Sequence, residues 1–227
     1  QAVVRRSVTR GDDIFVVARH DADAAALAGG EATILRVDRD VDLLGAGDGP
    51  VRILVCALGP VHPEEARATD DTAAFLRDLG FIERLLAAIS GRPASVVLIS
   101  TVIALAPGED RRYYGGWKCL VEQQLGESID RLAPRASFSV LYPGRLADGP
   151  TRRVLPRLRA SHGQLAARMD ALAEGSSRSS IVGVDARLWM AARGLTLLID
   201  SLVPGRTSPR TRSLDRPVTH HERSIRS

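Results

Sequence analysis

The sequence predicts an α/β fold in which helices cover both faces of a parallel β-sheet, giving three layers in one domain. Short β-rich apolar runs alternate with helical patterns along the chain, which is typical of repeated strand–helix–strand units. The run 96–99 is apolar throughout, as in a parallel strand that is buried on both faces. The 227 residues, 44% of them hydrophobic, suit one domain with a sizeable core.

The elements follow from apolar spacing and from glycine and proline breaks. Helices are predicted at 1–10, 22–27, 63–89, 114–132, 155–172 and 182–202. Strands are predicted at 13–18, 32–37, 51–56, 96–99 and 136–141. The pair Pro143-Gly144 is predicted to turn the chain out of the last strand, and the serine-rich stretch 175–180 is interpreted as a flexible link.

The positive charge is concentrated at the end of the chain. Residues 204–227 hold six arginines against Asp215 and Glu222, a formal +4 that equals the value for the whole chain. Residues 1–203 are therefore formally neutral and are predicted to form the folded domain, whereas 204–227 form a basic, mobile tail. A neutral domain lacks the basic face that is typical of nucleic-acid binding, so no nucleic-acid partner is expected.

Targeting and metal signals are weak. The sequence has neither a long apolar segment nor a secretory signal pattern, which predicts a cytoplasmic protein without a membrane partner. Its two cysteines, Cys56 and Cys119, are interpreted as reduced packing residues. The pair His220-His221 has no accompanying ligand spacing, so no metal site is predicted.

Lys118 draws attention because the other 30 of the 31 basic residues are arginine. An ammonium is compact and flexible where a guanidinium is planar, so this position is predicted to need what arginine cannot supply. Lys118 follows Tyr114 by four residues, which places both side chains on one face of a helix. A nearby positive charge favours the phenolate, so the pKa of Tyr114 is expected below its free value of about 10.

Two hydroxyls precede this pair. Ser100 and Thr101 directly follow the strand 96–99, and the carboxyl ends of parallel strands are where ligands bind in open α/β sheets. A hydroxyl there can donate a hydrogen bond to a substrate oxygen while the tyrosine exchanges a proton.

A strand, a hydroxyl at its end and Tyr-x-x-x-Lys about a dozen residues later resemble the short-chain dehydrogenase/reductase superfamily. The resemblance implies a Rossmann-like, doubly wound sheet. It implies that Thr101, or Ser100, polarises the reacting carbonyl or hydroxyl and that Tyr114 is the acid/base. Lys118 would lower the pKa of the tyrosine and hold the nicotinamide ribose.

The resemblance also implies cofactor-binding positions. Arg19 directly follows the strand 13–18, which corresponds to the family's second strand. It favours NADP(H) over NAD(H), because a basic residue there accommodates the 2′-phosphate. Asp38 would contact the adenine. The remaining positions occupy the place of the family's Asn-Asn-Ala-Gly turn, in which only Gly59 matches, and of the turn beside the nicotinamide: Cys56, Ala57 and Gly59, then Pro143 and Gly144.

Two family features do not match. In the family, a first strand and a glycine-rich phosphate turn come before the helix that residues 1–10 resemble, and neither is present in this sequence. Either this sequence omits them or the protein is a cofactor-free relative. The missing initiator methionine favours omission. The sequence has no asparagine, and Arg77 stands where the family has the asparagine that supports a proton-relay water.

The leading hypothesis is an NAD(P)-dependent oxidoreductase that interconverts a secondary alcohol and a ketone by hydride transfer. One alternative is an NAD-dependent sugar or nucleotide-sugar epimerase or dehydratase, and another is a non-catalytic, cofactor-free binding protein. Residues 146–180 would form the lid that selects the small-molecule substrate. The resemblance further implies a homodimer or homotetramer.

Overall fold

The computed structural model describes most of the region from residue 72 to residue 202 and short segments before it. The described residues are 2–10, 15–16, 33–34, 49–56, 58–59, 72–108, 111–144, 146, 158–175 and 178–202.

The centre of this part of the chain is a four-stranded parallel sheet. Its strands are β3 (Val51–Val55), β4 (Ala94–Ile99), β5 (Ala136–Pro143) and β6 (Ser179–Val182), and they lie side by side in that order. Each neighbouring pair is parallel. Because all four strands point the same way, their carboxyl ends meet at one edge of the sheet, where ligands bind in such folds.

Three further elements precede this sheet. Helix α1 (Ala2–Arg10) comes first, followed by the short strands β1 (Phe15–Val16) and β2 (Thr33–Ile34). The two strands pair with each other in parallel. Within the described residues they form a ladder of their own, separate from the four-stranded sheet.

One face of the sheet is covered by α2 (Thr72–Ala88) and α4 (Arg112–Leu132). Successive side chains of a strand point to opposite faces, so Val96 and Leu98 of β4 enter this side of the core. The helices contribute apolar residues at helical spacing, including Leu79, Ile82 and Leu86 from α2 and Val121, Leu125 and Ile129 from α4. This cluster fixes α4 over the sheet.

The opposite face is covered by α5 (His162–Ala173). Val97 of β4 and Leu141 of β5 pack there against Leu165, Met169 and Leu172 of the helix. The helix begins with a capping box, in which Ser161 and Gln164 satisfy each other's backbone N–H groups. Helices on both faces of a parallel sheet make three layers, so the predicted fold class is confirmed.

Two more helices complete the described fold. The single-turn α3 (Val102–Leu105) follows β4, and α6 (Val184–Leu202) follows β6. Among the residues that the structure describes, no helix combines the length and apolar character needed to cross a bilayer.

The region from 175 to 184 differs from the sequence prediction. Ser179 and Ser180, interpreted as part of a flexible link, are the first residues of β6, and Val182 belongs to that strand rather than to the last helix. Pairing with β5 explains the difference, because Val140 of β5 donates a backbone hydrogen bond to the Arg178 carbonyl at 3.0 Å. Tertiary pairing overrides the weak strand preference of serine here.

Candidate active site

The candidate site lies where the carboxyl ends of β3, β4 and β5 meet helix α4. Ser100 and Thr101 directly follow β4, as the sequence predicts. Leu58 and Gly59 follow β3, and Gly144 follows β5. Since neighbouring parallel strands end at the same edge, three chain segments that are distant in sequence come together here.

Helix α4 carries Tyr114 and Lys118 one turn apart and begins at Arg112, two residues before the tyrosine. Both side chains are buried, with 7% of Tyr114 and 5% of Lys118 exposed. The Lys118 Nζ lies 5.6 Å from the centre of the Tyr114 ring. The ammonium and the phenol ring are therefore neighbours, whereas the adjacent Tyr113 is 62% exposed.

The lysine is fixed by the loop after β3. Its Nζ donates a hydrogen bond to the main-chain carbonyl of Leu58, 3.3 Å away. Gly59 has a positive φ of 68°, and a Cβ at this position would lie 2.9 Å from the Cγ2 of Val121 on α4. Glycine therefore lets this loop approach the helix closely enough to reach Lys118.

The two candidate hydroxyls do different things. Thr101 is half-buried and caps α3, because its Oγ1 accepts a hydrogen bond from the Ile103 N–H at 3.4 Å. Ser100 is buried, and its hydroxyl donates a hydrogen bond to the Glu122 carboxylate. The structure thus separates two residues that the sequence left as alternatives.

Glu122 is a site residue that the sequence analysis missed. It follows Lys118 by four residues and Tyr114 by eight, so the three share one face of α4. Its second carboxylate oxygen accepts a hydrogen bond of 2.8 Å from the Tyr142 hydroxyl. Extending the helical spacing beyond Lys118 would have found Glu122, but its partners depend on how β4 and β5 are paired.

The electrostatics of Tyr142 follow from this contact. Burial raises the pKa of Tyr142 well above its usual value, and the hydrogen bond to Glu122 and the charge of that carboxylate raise it further. The phenol of Tyr142 is therefore protonated in the folded protein across the neutral range. It acts as a hydrogen-bond donor to Glu122.

The turn after β5 begins later than predicted. Pro143 still belongs to the strand and pairs with Val182, and the Gly144 N–H donates to the Val182 carbonyl at 3.1 Å. A Cβ on Gly144 would lie 2.6 Å from Oδ2 of Asp185, which stands in the first turn of α6. No pattern in the sequence indicates this close approach, since the two residues lie on different elements.

Some predicted positions lie outside the described residues, and one that is described does not join this cluster. Arg19, Asp38 and Ala57 are outside the described residues. Arg77 is 73% exposed and lies 3.8 Å from Asp78, so its side chain points to solvent rather than into the site.

The prediction of reduced cysteines is correct, but the prediction that they are packing residues is not. Cys56 and Cys119 are free thiols, but both are exposed rather than packed in the core. Cys56 lies just beyond the last residue of β3, and Cys119 is about 100° around α4 from the buried Lys118. The predicted cofactor-binding role of Cys56 stays a prediction.

No protein-family model and no curated protein matches this sequence. Solved structures do match. A short-chain dehydrogenase from Burkholderia cenocepacia in complex with NADP aligns with a TM-score of 0.63 at 15% identity, covering 88% of this chain and 89% of its own. A short-chain oxidoreductase from Burkholderia thailandensis aligns with a TM-score of 0.62 at 17% identity, covering 87% and 92%.

A bulky-bulky ketone specific alcohol dehydrogenase from Comamonas testosteroni is also similar. It aligns with a TM-score of 0.55 at 17% identity and covers 93% of both chains. The chain therefore has the Rossmann-like α/β fold of the short-chain dehydrogenase/reductase superfamily. The resemblance drawn from Tyr114 and Lys118 is confirmed at the level of the fold.

Proposed function

We propose that the protein is an oxidoreductase of the short-chain type that uses NADP(H) to interconvert a secondary alcohol and a ketone. The observation that carries the proposal is the buried pair of Tyr114 and Lys118 on α4, a helix that is joined to Ser100 at the end of β4 through Glu122. A buried ammonium beside a phenol is costly in a purely structural role, because burying a charge requires compensating partners. Proton transfer at a substrate oxygen gives this pair a use.

Each side chain has a distinct role in the proposed reaction. In ketone reduction, Tyr114 donates its phenolic proton to the oxygen of the substrate, and in alcohol oxidation it takes that proton back. The positive charge of Lys118 stabilises the phenolate that remains. Thr101 donates a hydrogen bond to the same substrate oxygen. We assign this role to Thr101 because the Ser100 hydroxyl is used by Glu122.

The residues at this edge fit the nicotinamide half of a dinucleotide. NADP(H), when bound, supplies or accepts the hydride. Lys118 would hold the ribose hydroxyls through its ammonium N–H donors, a chemistry that suits a polyol. Gly59 and Gly144 belong to the segments after β3 and β5 that reach the same edge.

NADP(H) rather than NAD(H) is proposed on one residue of this chain. Arg19 would accommodate a 2′-phosphate, for which a guanidinium offers a bidentate match. The NADP bound to the Burkholderia cenocepacia protein is consistent with this choice. A direct comparison of the two cofactors decides it.

The experiment combines binding and turnover. Calorimetric titration with NADPH and NADH should show micromolar binding of NADPH and weaker binding of NADH. Reduction of a panel of ketones, followed as loss of NADPH absorbance, should then identify a substrate. A cofactor that copurifies and is recycled without net oxidation would support the epimerase or dehydratase alternative, and the absence of any binding would contradict the proposal.

The chain offers a matched pair of variants for this test. Tyr114→Phe should lower kcat by about 10² to 10⁴, the range of general acid–base catalysis. Tyr113→Phe changes the neighbouring, exposed tyrosine and should leave kcat unchanged. Equal effects of the two substitutions would overturn the assignment of Tyr114.

A further inference from the structure

Glu122 holds three elements together at the candidate site. Its carboxylate belongs to α4, and its two oxygens accept hydrogen bonds from Ser100 at the end of β4 and from Tyr142 near the end of β5. An ionised carboxylate only accepts hydrogen bonds and can take several at once, so it is suited to joining two hydroxyl donors. Hydrogen bonds to a charged group are also stronger than neutral ones.

Two further contacts fix α4 against the segment that follows β4. Gly115 brings the helix so close that a Cβ there would lie 2.7 Å from the Pro107 Cβ and 3.2 Å from the Ile103 carbonyl oxygen. One turn later the Cys119 Sγ donates to the Ala104 carbonyl at 3.3 Å. Glu122 is the next contact along the same side of the helix. Together the three set the distance between Thr101 and the tyrosine–lysine pair.

We propose that Glu122 is a positioning residue, which holds Tyr114 and Lys118 in register with Thr101 by tying α4 to the carboxyl ends of β4 and β5. This inference rests on the proposed function. Catalytic groups must be held within about half an ångström of their working geometry, and side chains behind them usually supply that precision. Ser100 directly precedes Thr101, so its bond to Glu122 fixes the backbone that carries the polarising hydroxyl.

Removing a polar contact that only stabilises the fold should leave activity unchanged. The chain contains such a contact six residues further along α4, where the Ser128 hydroxyl donates to Glu83 of α2 at 2.7 Å. It also joins α4 to another element through a serine and a glutamate, but it lies away from the strand ends. Ser128→Ala is therefore the matched control, because it should lower stability without moving Tyr114 and Lys118.

The variants test position against charge. Glu122→Ala removes both links and should lower kcat by about ten- to a hundredfold, as expected for a small displacement of catalytic groups. The KM for NADPH should stay near the wild-type value. Ser100→Ala and Tyr142→Phe each remove one link and should give smaller losses of kcat, whereas Ser128→Ala should not change kcat.

Glu122→Gln is the conservative variant. Its amide can still bond both hydroxyls, with one oxygen as acceptor and one N–H group as donor. Recovery of most of the kcat lost in Glu122→Ala supports positioning. A loss as large as in Glu122→Ala would show that the charge is needed, and would overturn the proposal.

A second readout does not depend on activity. Nuclear magnetic resonance of protein labelled at the tyrosine ring Cζ gives one signal for each of the three tyrosines. The Tyr114 signal should move in Glu122→Ala and stay in place in Glu122→Gln and Ser128→Ala. A protein that reduces no ketone would contradict the proposed function while leaving this readout intact. The positioning role would be overturned if Glu122→Ala changed the Tyr114 signal and kcat no more than Ser128→Ala does.

Discussion

The Lys118 Nζ donates a hydrogen bond to the main-chain carbonyl of Leu58, 3.3 Å away and 60 residues earlier in the chain. This contact joins helix α4 to the loop after β3 at the edge of the sheet. It also limits which side chains can replace Lys118, since a buried cation must be compensated by the groups around it.

We expect Lys118→Arg to lower kcat by about a hundredfold or more, because a planar guanidinium does not reproduce a compact ammonium. Kinetics with NADPH and the best ketone measure this. Lys118→Met is the companion variant, since it keeps the stem and removes the charge. It should fold with a similar free energy of unfolding, as an apolar group can replace a buried charge without loss, yet it should be inactive. Substantial activity in Lys118→Met would contradict the role of the ammonium.

Two adjacent glycines of α4 should respond in opposite ways to alanine. A Cβ on Gly115 would lie 2.7 Å from the Pro107 Cβ, so Gly115→Ala must push the segment after α3 away and should cost about 1–3 kcal/mol. Gly116 is exposed with nothing within 4 Å of a Cβ, so Gly116→Ala should stabilise the helix by about 0.5–1 kcal/mol. Urea unfolding measures both. Equal changes would show that α4 does not approach Pro107 this closely.

The parts of the fold that are local in sequence could be predicted, and the parts that depend on pairing could not. The run 96–99 and the spacing of Tyr114 and Lys118 each carry their own signal, and the structure has the strand and the helix where these signals place them. β6 carries no such signal, because its serines become a strand only beside β5. The same holds for Glu122, whose face on the helix is readable but whose contact with Tyr142 requires β5 to lie next to β4.

The buried phenol of Tyr142 should make the protein lose stability at high pH. Burial, and then its bond to Glu122, raise the pKa of Tyr142 in the folded state above the value of about 10 in the unfolded chain. Above pH about 10 the unfolded chain therefore loses this proton first, so the free energy of unfolding falls as the pH rises. Below that pH the contribution is fully present.

Tyr142→Phe removes this titration. Its free energy of unfolding should fall less than that of the wild type between neutral pH and pH about 11, while at neutral pH it is lower by about 1 kcal/mol from the lost hydrogen bond. Chemical denaturation at a series of pH values provides the comparison. Parallel curves for the two proteins would show that the pKa of Tyr142 is not raised by folding.

Gly183 and Gly175 provide a final matched pair, because both have a positive φ, 103° and 83° respectively. Gly175 has nothing within 4 Å of a Cβ, so Gly175→Ala should cost only the backbone strain, about 1 kcal/mol. A Cβ on Gly183 would overlap Oδ1 of Asp185, so Gly183→Ala should cost about 1–3 kcal/mol more. In an Asp185→Ala background this excess should disappear, which a double-mutant cycle of unfolding free energies detects. An excess that persists without the carboxylate would place its cause elsewhere around Gly183, for instance at the Ala160 backbone 3.5 Å away.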